Sequence, residues 1–197
     1  MSMMDSERPE ITVFSGVYPP SEDTYLLLDS LDIRKEDTFL EVGCGTGVIS
    51  VSVAGQIERV VCLDSSFDAV RNTKENLKRN NISHRCHVIE ADLLSALSPS
   101  VKFSLIVFNP PYLPQDEPHT DLDHALVGGE TGTETTQRFI RQVVEHLLKN
   151  GRVYVVVSSL ANIDSIEQTM IDCGLSVGIV SEASLFFEKI QVLRGIL

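Results

Sequence analysis

No two of the four cysteines, Cys44, Cys62, Cys86 and Cys173, stand in a Cys-x-x-Cys pair, which removes the redox and zinc motifs built on that spacing. Four thiols in 197 residues read as reduced and mostly buried, and the expected compartment is the cytoplasm. Long apolar runs are missing as well. No uninterrupted segment reaches the roughly 18 residues of a membrane span. The first ten residues carry Asp5, Glu7 and Glu10 and no apolar stretch, so no signal peptide is expected. Basic charge is scarce: 16 Lys and Arg stand against 28 Asp and Glu, a net charge of −12. That is the wrong sign for holding bare nucleic acid through its phosphates, and no run of Lys or Arg offers a local groove. The balance suits an acidic soluble protein that docks on another macromolecule.

What is present is ordinary globular composition, 43% apolar and 22% charged, at a length suited to one domain. Short apolar runs at 38–42, 59–64, 86–91, 104–108 and 152–158 alternate with amphipathic stretches, as expected for strands covered on both faces. Phe67, Val70 and Leu77 form one helical stripe. Phe139, Ile140, Val143, Val144, Leu147 and Leu148 form another, with a capping box from Thr131 to Glu134 at its start and Gly151 as its stop. Strand–helix alternation predicts a mainly parallel sheet with helices on both sides. The runs at 176–180 and 186–193 are too close for a parallel crossover, so they must pair antiparallel.

The segment Glu41-Val-Gly43-Cys-Gly45-Thr-Gly47 follows the first strand and opens a helix. Its glycines allow a sharp turn and close backbone approach to a ligand. A dinucleotide fingerprint would place its third glycine one position later, where Val48 stands, and the carboxylate of Glu41 opposes a pyrophosphate but tolerates a cation. Asp64 ends the second strand 21 residues after Gly43, where an acid can take two ribose hydroxyls. Asp92 ends the third and could accept from an adenine amino group, with Leu93 beside the ring. One strand-end acid is as readily a helix cap. Three behind such a loop point to a nucleoside site on the carboxyl edge of the sheet.

After the fourth strand comes Asn109-Pro110-Pro111-Tyr112. Its prolines make a stiff turn with carbonyls free to accept. An asparagine oxygen and a proline carbonyl can take both hydrogens of a planar –NH2 group, and a tyrosine ring can pack on the flat substrate. Amides and exocyclic aromatic amines are poor nucleophiles, so alignment and hydrogen-bond stabilisation matter more than a tuned general base.

The glycine loop and its three acids resemble the S-adenosylmethionine-dependent methyltransferases of the Rossmann-like class I fold. That resemblance implies a seven-stranded, mostly parallel sheet with one antiparallel strand, a single domain over 1–197 with 1–14 as an N-terminal extension, and S-adenosylmethionine as cofactor. Asn109–Tyr112, with Tyr18-Pro-Pro-Ser-Glu22-Asp23-Thr24 and the segment 125–132, resembles the HemK-type glutamine N5-methyltransferases, in their short archaeal and eukaryotic branch. The resemblance implies catalytic roles for Asn109, Pro110, Pro111 and Tyr112. It implies cofactor contacts from Thr24, Glu41, Gly43, Gly45, Gly47, Asp64, Asp92, Leu93 and Asn109. It also implies a class-1 translation release factor as substrate and a small zinc-binding protein as possible activator, docking near the third strand. Methylation of adenine or of lysine are the alternatives. A non-catalytic partner-binding module is a third, opposed by the complete Asn-Pro-Pro-Tyr motif.

Other signals carry less. Residues 115–124, acidic and containing His119 and His124, read as a mobile substrate loop rather than a metal site. His84 and His87 read as structural. Gly128 and Gly129, next to Glu130, read as shaping the substrate loop rather than cradling a phosphate. Ser21 before Glu22 and Asp23 reads as a helix N-cap.

Overall fold

The computed structural model describes residues 9–114, 127–185 and 188–197. Seven strands form the main sheet: β1 (Thr38–Val42), β2 (Arg59–Asp64), β3 (Cys86–Glu90), β4 (Phe103–Phe108), β7 (Leu147–Ser158), β8 (Ser176–Ser184) and β9 (Lys189–Ile196). Their spatial order is β3-β2-β1-β4-β7-β9-β8. β1, β2, β3, β4 and β7 run parallel, while β9 pairs antiparallel with both β7 and β8. A two-stranded parallel ribbon joins β5 (Leu113–Pro114) to β6 (Val127–Gly129). The expected seven-stranded sheet with one antiparallel strand is what forms.

Successive side chains on a strand point to opposite faces, and both faces of this sheet are apolar. Phe39, Leu105, Val107, Tyr154 and Val156 pack one way, against Leu27 of helix α1 (Glu22–Asp29) and Val48, Ile49 and Val53 of α2 (Val48–Val53). Leu40, Val42, Ile106, Phe108, Val153 and Val155 pack the other way, against Phe139, Ile140 and Val143 of α4 (Glu134–Val143) and Ile166 and Met170 of α5 (Ile163–Asp172). Helix α3 (Phe67–Arg79) lies along β2 and β3. Among the described residues no helix is long and apolar enough to cross a membrane.

Three sequence expectations need correction. The apolar stripe from Phe139 does not continue as one helix to Leu148. α4 ends at Val143, a 3-10 turn covers Val144–His146, and Leu147 begins β7 with extended backbone. Leu147 pairs with Phe103 and Arg152 with Leu105, so residues 148–151 bulge out of register and Gly151 lies within the strand, stopping no helix. Apolar spacing alone cannot separate the end of a buried helix from the start of a buried strand. The capping box is half made. Glu134 is itself the first helical residue behind Thr133; its carboxylate accepts from the backbone N–H of Thr131 at 3.0 Å, but no Thr131 oxygen caps the helix. Phe67 leaves the stripe and is 61% exposed, its ring under the Arg71 guanidinium. As the residue just after the N-cap Ser66 it points outward, and Val70 and Leu77 carry the packing.

Smaller adjustments follow. Cys44 and Cys62 are buried, whereas Cys86 and Cys173 are half-buried. His84 and His87 are exposed and take no part in the core. His119, His124 and residues 186–187 lie outside the described residues.

Residues 9–14 are extended along α3, and asparagines one turn apart on that helix act as a surrogate strand edge. Asn80 accepts from Glu10 N at 3.0 Å and donates to its carbonyl at 2.9 Å. Asn76 does the same with Thr12, and Asn72 accepts from Phe14 N at 2.8 Å. Asn76 also donates to the carbonyl of Thr46 at 2.9 Å, so one side chain holds both the N-terminal segment and the glycine loop.

Candidate active site

The carboxyl ends of β1, β2 and β4, with the residues just past β3, open onto a cavity of about 510 Å³, the size of a nucleoside-derived ligand. Thr24, Glu41, Gly43, Gly45, Asp64, Asp92, Leu93, Asn109, Pro110, Pro111 and Tyr112 all line it. Gly47 does not. It caps α2 at φ 76°, and a Cβ there would stand 2.8 Å from Thr73 Cγ2, so its smallness serves packing.

The glycine loop is held from behind. Cys44 N donates to the Leu63 carbonyl, Thr73 Oγ1 donates to the Gly45 carbonyl at 3.0 Å, and Gly45 N donates to Asp64 Oδ2 at 2.9 Å. Gly45 sits at φ 52° with open space where a Cβ would be, so its backbone is bare toward the cavity. Gly43 faces the asparagine motif: a Cβ on it would lie 3.1 Å from the Phe108 ring and 3.7 Å from the Asn109 carbonyl oxygen. The glycine turn and Asn109 therefore share one space.

Glu41 is the penultimate residue of β1 and is buried. Its Oε2 accepts from Ser50 N at 2.9 Å and from the Ser50 hydroxyl, which ties β1 to α2. Burial pushes its carboxyl up to about 8, against the lowering pull of the Ser50 contacts. Between the usual carboxylate range and that value, the folded chain keeps a proton that the unfolded chain has released. Stability of the protein alone therefore falls as pH rises from about 5 to about 8, then levels. Glu41→Gln keeps both Ser50 contacts and is expected to flatten most of this fall. Urea midpoints across that range check it; an unchanged slope in the variant would remove Glu41 as the source. Asp64, also raised by burial, contributes with the same sign.

Asp64 ends β2, and its two oxygens accept from Gly45 N and Ser66 N, so any ribose hydroxyl would share the carboxylate with the loop it supports. Asp92 stands two residues beyond β3, not at its end, and Oδ1 is in an exposed ion pair with Arg138 Nη2 at 2.6 Å. Leu93 adopts φ 49°, a strained conformation for a branched side chain, while 7% exposed.

At the far wall the residues converge on Asp23, which is 2% exposed. Its Oδ1 accepts from Thr24 N at 2.6 Å and Thr24 Oγ1 at 3.1 Å. Its Oδ2 accepts from Asn109 Nδ2 at 3.1 Å, Tyr18 OH at 3.3 Å and Tyr112 OH at 3.4 Å. Asn109 Oδ1 is buried with no hydrogen-bond partner. Burial and the Asp23 charge push the Tyr18 hydroxyl up to about 12 and push Tyr112 up as well, so both stay protonated donors. Gly128 braces this wall: a Cβ on it would lie 2.4 Å from the Pro111 carbonyl oxygen and 2.6 Å from that of Gly132.

Sequence reasoning missed Asp23, Tyr18, Thr135 and Arg138 as cavity residues. Asp23 and Tyr18 stand inside the early Tyr18–Thr24 motif, where chain order alone does not say which side chain turns inward. Thr135 and Arg138 share one face of α4 at a spacing of three, a signal visible only once the helix is oriented.

Comparison with known proteins agrees with this geometry. A family model described as methyltransferase small domain matches residues 11–176. A Methanocaldococcus jannaschii protein assigned as a protein N5-glutamine methyltransferase is 34% identical over 198 residues, covering 98% of each chain. Methyltransferase HEMK2 of Homo sapiens is 36% identical over 175 residues, 82% of this chain and 81% of its own. Among solved structures, E. cuniculi Mtq2, in its complex with Trm112 responsible for methylation of the eRF1 translation termination factor, superposes with a TM-score of 0.73 at 25% identity, covering 92% of this chain and 98% of that one. With the fold, the cavity and these relatives in agreement, the chain belongs to the methyltransferase small-domain family, beside the HemK-type protein glutamine methyltransferases.

Proposed function

We propose that the protein transfers a methyl group from S-adenosylmethionine to the side-chain amide nitrogen of a glutamine in a class-1 translation release factor, acting in the cytoplasm. The observation that carries this reading is the Asn109 carboxamide. Its nitrogen is tied to Asp23, its oxygen is buried and unpartnered, and the residue lines the cavity shared with the glycine turn. A buried acceptor left open is costly unless a ligand donor meets it. A primary amide has two hydrogens to give, one to Asn109 Oδ1 and one to the Pro110 carbonyl. Tyr112, held through its hydroxyl, would pack against the flat group.

The cavity fits the cofactor by its donor and acceptor set. The bare backbone at Gly45 admits a close ligand, and the acids Asp64 and Asp92 suit a cationic molecule with a ribose diol and an amino group, with Glu41 as a buried carboxyl beside them. When bound, S-adenosylmethionine supplies an electrophilic methyl group on a sulfonium. The chain's residues contribute alignment, dry surroundings and hydrogen bonds that strengthen as the amide nitrogen gains positive charge. The names of the relatives from Methanocaldococcus jannaschii and E. cuniculi support glutamine in a release factor as the acceptor. The same reading includes a small zinc-binding activator on β3, which ends the sheet order and carries Ile89 38% exposed.

The test is mass spectrometry of a release factor incubated with the protein and labelled cofactor, with and without the small partner, beside DNA and RNA. One labelled glutamine in the release factor is the expected result. Label on nucleic acid, or on lysine alone, would overturn the substrate.

A further inference from the structure

We infer that Asp23 is a positioning residue: it fixes which edge of the Asn109 carboxamide faces the acceptor, and thereby selects side chains that present an –NH2 group over those that present a carboxylate. This rests on the amide clamp proposed above.

A carboxamide has two edges of nearly the same shape and opposite polarity, so only its neighbours decide which atom points where. At Asn109 the nearer acceptor for the nitrogen is Asp23, with Thr24 Oγ1 a longer contact at 3.5 Å. Asp23 Oδ2 lies 3.1 Å from Nδ2, and an ionised carboxylate can only accept. The carboxamide oxygen is thereby turned away from Asp23, buried and without a partner on a residue that lines the cavity. Asp23 cannot rotate away, because its Oδ1 is held by the Thr24 backbone N–H at 2.6 Å and the Thr24 hydroxyl at 3.1 Å. The two tyrosine hydroxyls share Oδ2, so the carboxylate stays satisfied while 2% exposed. The buried charge also polarises the carboxamide it holds, making the outward oxygen a stronger acceptor. A glutamine amide meets a complementary surface there. A glutamate side chain meets acceptor against acceptor and is rejected, although its shape is nearly the same.

Two variants at these positions behave oppositely. In Asp23→Asn, the Thr24 backbone N–H requires the new carboxamide to keep its oxygen on that side. Its nitrogen then faces Asn109, donor against donor, and Asn109 must flip. The cavity now receives an N–H where it had an oxygen. In the double variant Asp23→Asn with Asn109→Asp, the new carboxamide donates to the new carboxylate, which still offers an oxygen to the cavity.

Turnover on a peptide containing the acceptor glutamine, affinity for that peptide and for its glutamate counterpart, cofactor affinity by calorimetry and melting temperature are measured on the full chain. Asp23→Asn is expected to lose about a hundredfold or more in kcat while cofactor affinity stays within threefold. It should also bind the glutamate peptide at least tenfold tighter than the parent does, a change that mere loosening would not produce. The double variant should recover at least tenfold in kcat over Asp23→Asn. Near-parental turnover in Asp23→Asn, or a double variant no better than the single one, overturns the inference. Should Asp23→Asn fail to fold, the double variant decides: activity supports the inference, and inactivity with cofactor bound overturns it. Asn109→Ala separates the two readings. If it is fully active the clamp itself fails, whereas if it is inactive and Asp23→Asn is active, the role of Asp23 alone fails.

Discussion

Replacing Asn109 by alanine is expected to lower turnover by about a hundredfold or more, with cofactor binding retained. In the proposed reaction the carboxamide oxygen would accept from the amide nitrogen as it becomes positive, and removing one such aligned group from a dry site costs two to three orders of magnitude as a general rule. Stability should change little in comparison. The truncation also removes an unsatisfied buried oxygen, and Asp23 keeps Tyr18, Tyr112 and Thr24 as donors. Single-turnover kinetics and calorimetric titration with the cofactor separate the two effects. Turnover within threefold of the parent would show that another group orients the nitrogen.

The second large effect concerns the opposite end of the sheet. Arg152 and Asp37 form an ion pair of 2.6 Å, with side chains 4% and 2% exposed. Asp37 also accepts from Arg34 N at 2.8 Å and Ser104 Oγ at 2.7 Å, joining the start of β1 to β4 and β7. Replacing Arg152 by methionine strands a buried carboxylate, at a cost of about 3–5 kcal/mol. Replacing both partners by apolar residues is expected to be far milder, since the pair's attraction mostly offsets its own desolvation. The pair lies at the amino ends of the parallel strands and the cavity at their carboxyl ends. Folded Arg152→Met should therefore keep its activity per molecule. Urea unfolding of the single and double variants reads the difference; a loss below about 1 kcal/mol in the single variant would mean that water reaches the pair.

Much of this was legible in the chain because the sheet is buried on both sides. Runs such as 38–42 and 59–64 hold an unbroken apolar stretch, Phe39–Leu40 and Val60–Leu63, too short for a helix, which leaves strand as the economical reading, and both hold to the residue. The helix from Phe139 failed at its far end for the same reason. Leu147 is as buried as Phe139, so hydrophobicity continues while the backbone changes state. In the site, residues that announce themselves by spacing, Gly43, Gly45 and the acids Glu41, Asp64 and Asp92, fell around one cavity, while Gly47 did not. Asp23 did not, because its importance comes from partners 5, 86 and 89 residues away that only the fold assembles. Asp92 shows the reverse: its position near a strand end was readable, but its pairing with Arg138 on a distant helix was not.

The asparagines of α3 have a mechanical consequence. Asn72 and Asn76 grip the segment that leads to Gly16, Val17 and Tyr18 above the cavity, while Asn76 and Thr73 grip the glycine turn below it. Upper jaw and lower jaw are thus bolted to the same rod and cannot part without unseating three fully buried side chains. On the α4 side of the cavity, by contrast, the exposed Asp92–Arg138 pair holds with no more than about 1 kcal/mol, and salt alone loosens it.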